Sequence, residues 1–112
     1  MIEKIIRDYL ITKLAQVPVY VDVPAEPPAA YVVIERTGGG EEEHIRNAMV
    51  AIQSYGASRY NAASLHETVL AAMRELNTLN SISMCELNSE YDYTDTTTRR
   101  YRYQAVFNII YY

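Results

Sequence analysis

The chain contains no tryptophan, one phenylalanine, one cysteine and two histidines. The single cysteine, Cys85, excludes an internal disulfide and is typical of a reducing compartment. Cys85 lies in a strand-like pattern, Ser-Ile-Ser-Met-Cys-Glu-Leu, in which a thiol is usually a small buried apolar group. No apolar run approaches the roughly 20 residues that span a bilayer, and no secretory signal pattern opens the chain. These absences predict a protein that has neither a membrane span nor disulfide bonds.

The chain also lacks the spacings of catalytic and metal sites. His44 and His66 form no zinc-binding motif with the lone cysteine. The glycine run 38–40 is followed by three glutamates, whereas a phosphate-binding loop ends in Lys-Ser/Thr and opens a helix. Those glutamates could bind a cation in principle, but a charged segment beside glycines is more often a solvated loop tip. We predict no catalytic, cofactor-binding or metal-binding residue, and no enzymatic activity.

Charge and aromatic content point away from nucleic acid. The formal net charge is −4, from 14 acidic and 10 basic residues, whereas phosphate binding needs a clustered positive field. One basic cluster, residues 99–102, is interleaved with tyrosine, but strand alternation puts Tyr101 and Tyr103 on the face opposite Arg100 and Arg102. We therefore expect no specific nucleic-acid partner. The 11 tyrosines are typical of β strands and also of partly solvated protein interfaces, and both interpretations stay open.

Hydrophobic periodicity predicts one α+β domain over residues 1–112, with a mostly antiparallel sheet of about five strands and two helices packed on it. The predicted helices are 2–15 and a segment from an N-cap at Ser58 to Leu76–Asn77. The predicted strands are Val17–Val23, Tyr31–Thr37, about 45–55, about 81–93 and about 98–112. The order is α-β-β-β-α-β-β. We expect the second helix to pack on one face of the last strand, through Leu65, Val69 and Met73 against Tyr103, Ala105 and Phe107.

Two oppositely charged segments are candidate protein interfaces. The segment Gly38–Glu43 is predicted to be a flexible acidic hairpin loop, mobile in an isolated subunit, because glycine adds chain entropy and adjacent carboxylates repel. Arg100 and Arg102 share one face of the last strand. Complementary patches on one chain can meet between copies and close a ring. The interface candidates are Glu41, Glu42, Glu43, Arg100 and Arg102; the alternative is that both features are merely solvated.

Three segments carry a family resemblance. The segment 27–39, Pro-Pro-Ala-Ala-Tyr-Val-Val-Ile-Glu-Arg-Thr-Gly-Gly, resembles the second-strand signature of small tail-completion or tail-terminator proteins of tailed bacteriophages and prophages. Residues 50–56 with the helix opening at 58–63 are similar to their third strand and second helix. Residues 101–107 resemble their last strand. The order and spacing of these segments carry the resemblance across most of the chain.

The resemblance implies an α+β domain that works as a homo-oligomeric ring, often a hexamer, at the virion head–tail junction after synthesis in the bacterial cytoplasm. Such a structural virion protein caps the tail tube and contacts the tail-tube protein and the head connector or neck protein. The family has no catalytic residues or cofactors to carry over. Head-completion and neck proteins share the pattern loosely. The alternative function is a small bacterial binding or regulatory domain that recognises a peptide or protein, for instance on its sheet edge.

Overall fold

The computed structural model describes all residues, 1–112. Two helices, α1 (Ile2–Lys13) and α2 (Arg59–Met73), accompany five strands. The strands are β1 (Val19–Tyr20), β2 (Tyr31–Glu42), β3 (Ile45–Gly56), β4 (Ile82–Asp92) and β5 (Tyr101–Tyr111). A short 3₁₀ turn at Leu76–Thr78 follows α2. This element order confirms the predicted α+β class.

All five strands form one sheet in the order β1-β2-β3-β5-β4. Only the β1–β2 pair is parallel, and the other pairs are antiparallel. The β2–β3 hairpin closes at Glu43 and His44, whose φ angles of 51° and 70° give the left-handed turn that matches strand twist. β4 lies at one edge of the sheet, and β1 covers only two residues of β2 at the other.

Both helices pack on one face of the sheet, which we call the helix face. Its strand residues alternate with those of the opposite face, as the pleat requires. The main core joins the apolar stripe of α1, the apolar stripe of α2 and inward residues of all five strands, including Ile52, Phe107 and Ile109. Val69 and Met73 are fully buried there with Ala105 and Phe107, and Leu65 packs against the same cluster. The predicted packing of α2 on β5 is confirmed for Ala105 and Phe107, whereas Tyr103 lies outside this cluster and contacts His66 of α2, with ring centroids 5.2 Å apart.

Local chemistry explains how α2 begins. The hydroxyl of Ser58 accepts a hydrogen bond from the Asn61 amide at 3.0 Å, which confirms the predicted N-cap. Just before it, Gly56 lets the strand pass close to the helix, since a Cβ there would lie 2.8 Å from the Asn61 carbonyl carbon. The two helices are joined by a side-chain hydrogen bond. Tyr9 of α1 donates to the Ala72 carbonyl of α2 at a distance of 2.6 Å.

Three sequence-based boundaries were wrong. The strand predicted for Val17–Val23 forms only at Val19–Tyr20, because Pro18 offers no amide and Pro24 begins the connector to β2. The helices end at Lys13 and Met73, short of the predicted ends. Pro18 does lie at a sheet edge as expected, where its carbonyl accepts a hydrogen bond from Val32 at 2.9 Å.

The segment Gly38–Glu43 is not the predicted loop. Residues 38–42 continue β2 and pair with β3, and only Glu43 and His44 form the turn. A bulge between Arg36 and Gly38 offsets the register, and Gly39, at φ 151°, adopts a backbone conformation that favours glycine. Antiparallel pairing satisfies the backbone hydrogen-bonding groups here, and of the three glycines only Gly39, which lies close to Asn47 and Ala48, requires the absence of a side chain. No helix of the structure is long and apolar enough to cross a membrane.

Candidate interaction surfaces

The sheet face opposite the helices, here called the open face, carries no covering element. Toward the β2–β3 turn this face exposes apolar side chains interspersed with Asn47 and Asn108. Ile45 is 46% exposed and Met49 40% exposed, while Val106 and Ile110 are half-buried beside them. Gly38, Met49, Met84 and Ile110 border a shallow depression at this end. Large apolar side chains exposed on an uncovered sheet are typical of a protein-binding surface.

The opposite end of the open face is a small aromatic cluster. The rings of Tyr31 and Tyr55 stack with their centroids 4.3 Å apart, and Tyr20 meets Tyr31 edge-on at 6.1 Å. Burial by neighbouring rings raises the pKa of Tyr31. Val33 completes this second buried cluster, which is separate from the main core. The cluster makes this end of the face rigid without a covering helix.

Arg102 belongs to this cluster rather than to a free charged surface. Its guanidinium lies 4.4 Å from the centroid of the Tyr93 ring and donates hydrogen bonds to the Tyr93 carbonyl (2.7 Å) and the Tyr55 hydroxyl (3.0 Å). The side chain is half-buried. The guanidinium therefore has its partners within its own chain, so its charge is less available to another molecule than its strand position suggested.

Arg100 lies just before β5, in the turn that joins β4 to β5. This turn is fixed by Asp95, whose backbone pairs with that of Arg100 and whose carboxylate accepts hydrogen bonds from the Thr97 and Thr98 amides. A hydrogen bond from the Thr98 side chain, together with these two amide bonds, lowers the pKa of Asp95. The neighbouring Arg99 has a left-handed backbone, φ 56°. Both arginine side chains are exposed and form no ion pair or hydrogen bond.

A groove lies where this turn meets the proline connector. We call it the arginine groove and define it by Pro27, Pro28, Tyr31, Tyr55, Arg99 and Arg100. Its volume is about 220 Å³. That is below the roughly 300–1,000 Å³ of small-molecule sites, so the groove is suited to a side chain of another protein.

The glutamates predicted as interface residues lie at the turn end of the β2–β3 hairpin, and all are exposed. We call residues 41–44 the acidic tip. Glu41 faces Arg46 across the ladder, with an oxygen 3.4 Å from its Nε. The Arg46 guanidinium in turn lies 5.5 Å from the Tyr111 ring centroid. Glu42 and Glu43 form no ion pair and leave a net negative charge at the tip.

The acidic tip and the arginine groove lie at opposite ends of the sheet. Ile45 begins β3 and Tyr55 lies next to its last residue, so at about 3.3 Å per residue the two features are roughly 30 Å apart. The longest dimension of the molecule is 44 Å. The candidate residues therefore do not form one site: Glu42, Glu43 and Arg100 are exposed at two separate ends, and Arg102 is packed inside the aromatic cluster.

A third feature, on the helix face, joins α2 to β4. His66 is 2% exposed, and its Nε2 lies 2.9 Å from a carboxylate oxygen of Glu90. Because a carboxylate accepts hydrogen bonds, Nε2 carries the proton of this pair. The ligand atoms of His66, Glu67 and Glu90 lie within 4.8 Å of one another, which suggests a metal site. However, the buried Nδ1 has no partner, whereas a metal-bound histidine usually donates its second N–H to an acceptor. The His66–Glu90 contact is better explained as a structural hydrogen bond that joins the edge strand β4 to α2.

Cys85 has the environment expected of a structural thiol. It lies on the helix face of β4 and packs against the main core. Burial raises the pKa of its thiol to about 11, which leaves almost no thiolate near neutral pH.

Arg99, Pro27 and Pro28 line the groove but are not predicted as site residues from the sequence. Alternation along an ideal strand assigns Arg99 to the face opposite Arg100, but β5 begins only at Tyr101 and the left-handed backbone at Arg99 breaks the alternation. The run Thr96-Thr97-Thr98, rich in turn-forming hydroxyls, was the available sign that the strand starts later.

Comparison with known proteins adds no family assignment. No family model matches the chain, and no curated protein sequence matches it.

Proposed function

We propose that the protein is a tail terminator or tail-completion protein of a tailed phage or prophage, which forms a ring that caps the tail tube and joins it to the head connector. The observation that carries the proposal is the open face. A five-stranded sheet with helices on only one side leaves Ile45 and Met49 exposed, which a subunit or tail protein would cover.

The sheet edges support assembly by protein contacts. The outer edge of β4 is unpaired over Ile82–Asp92, and the outer edge of β2 is unpaired beyond Val33. Two exposed edges and two oppositely charged ends give each subunit non-identical surfaces, as head-to-tail ring contacts require. The resemblance of residues 27–39, 50–63 and 101–107 to tail-completion proteins supports a position at the head–tail junction.

The test is deletion of the gene in the phage or prophage that encodes the chain. We expect particles in which heads and tails stay separate, with the defect reversed when the protein is supplied from a plasmid. Electron microscopy of the lysate provides the measurement. Normally joined, infectious particles from the deletion strain would contradict the proposal.

A second candidate function is a bacterial binding domain that takes up a peptide along β4. The 11-residue unpaired edge of β4 favours it, since extended peptides add to such edges through backbone hydrogen bonds. A host gene context and slowed amide exchange along Ile82–Asp92 on addition of a bacterial partner would select this function over the terminator.

A further inference from the structure

The acidic tip and the arginine groove hold the unpaired charges of the β2–β3 and β4–β5 turns. Glu42 and Glu43 form no ion pair at the tip, and Arg99 and Arg100 form none at the groove. By contrast, the Arg102 guanidinium donates hydrogen bonds to Tyr55 and Tyr93 within its own chain. Each end therefore presents two like charges without the partner that would offset them.

The shapes of the two ends are complementary as well. The tip is narrow, because the hairpin closes through only Glu43 and His44, and it lies beyond the last β3–β5 pair at Arg46–Tyr111. The groove is concave, and the stacked rings of Tyr31 and Tyr55 form a firm wall beside the arginines. Its small volume suits one or two carboxylate side chains, which guanidinium groups bind through paired hydrogen bonds.

One chain cannot join its own tip to its own groove. The two lie roughly 30 Å apart along a continuous, paired strand, which cannot fold back on itself. A complementary pair at opposite ends of one molecule is a head-to-tail contact, which closes into a ring when the rotation between copies allows it. The partner with matching charge and shape is thus a second copy of this chain.

We propose that Glu42 and Glu43 of one copy dock in the arginine groove of the next, against Arg99 and Arg100. This contact rests on the proposed ring and names the surfaces that build it. It replaces the sequence-based pairing through Arg102, whose role is to hold Tyr55 and Tyr93 together inside each subunit.

The first test is a charge swap followed by sedimentation analysis at low and high salt. The tip variant Glu42→Lys/Glu43→Lys and the groove variant Arg99→Glu/Arg100→Glu should each lower the association constant about 10–100-fold, mostly at low salt. A chain that carries all four changes should regain most of the lost association, because its charges are complementary again. The control for the tip variant is Glu67→Lys/Glu75→Lys, which makes the same change in net charge on the helical layer and should leave association near wild type.

The second test locates the contact by disulfide trapping in a Cys85→Ala background. A chain with Glu43→Cys and Arg100→Cys should oxidise to a ladder of oligomers, whereas Glu75→Cys with Arg100→Cys should not. If the tip variant assembles like wild type, or the charge swap fails to restore association, the docking contact is wrong while the ring stands. If the wild-type chain stays monomeric at every concentration and salt, the ring itself fails.

Discussion

Val69 provides the sharpest test of the fold, because it is fully buried between α2 and the sheet. Val69→Asp removes about 1.5 kcal/mol of apolar burial and places a carboxylate with no partner in the core. Burying that group costs several kcal/mol more, even if it takes up a proton. A domain of this size has a free energy of unfolding of about 5–15 kcal/mol, so we expect the variant to be largely unfolded.

A milder change and a matched surface change make this prediction quantitative. Val69→Ala removes two methyl groups and leaves a cavity, which should cost about 2–3 kcal/mol and lower Tm on the order of 10 °C. Ala71→Asp, on the exposed side of the last turn of the same helix, should cost only about 1 kcal/mol, because it lowers helix propensity and places a negative charge at the helix C-terminus. Urea and thermal unfolding followed by circular dichroism measure all three. If Val69→Asp melts like the wild type while Ala71→Asp unfolds, the register of α2 on the sheet is wrong.

Three further predictions address single contacts. Tyr9→Phe removes the hydrogen bond to Ala72 and should lower the free energy of unfolding by about 0.5–1.5 kcal/mol in urea titrations; no change would show that the bond does not hold the helices together. Gly56→Ala brings a Cβ against the first turn of α2 and should cost about 1–3 kcal/mol in the same assay, and a gain in stability would refute that close approach. Burial raises the pKa of Cys85 from 9.0 to about 11, so the folded state retains a proton that the unfolded chain loses, and stability should fall between these pH values. Cys85→Ala should reduce that alkaline loss by about 1 kcal/mol after allowance for partial exposure, and equal pH profiles would contradict the assignment.

Periodicity predicted the parts of the fold that bury an apolar stripe. The stripes of α1 and α2, and the alternation from Ala105 to Tyr111, correspond directly to core residues, because burial of one face imposes the pattern on the sequence. The Ser58 N-cap could be predicted equally well, because its hydrogen bond is made to an amide only three residues away.

The failures occurred where a distant partner decides the structure. Gly38–Glu42 has loop-like composition, yet pairing with β3 extends it into a strand. The role of Arg102 depends on Tyr55 and Tyr93, which lie 47 and nine residues away in the chain. The arginine groove combines the proline connector, two strand ends and a turn, so no single stretch of sequence encodes it.

If copies of this chain close into a ring, the mass of the native assembly will be that of several subunits. Native mass spectrometry at low salt should give one discrete species whose mass is a whole multiple of 12.8 kDa, with six copies for a hexamer. Its collapse to smaller species on reversal of Glu42 and Glu43 would fit the proposed contact. A single species at 12.8 kDa across the accessible concentration range would contradict the account.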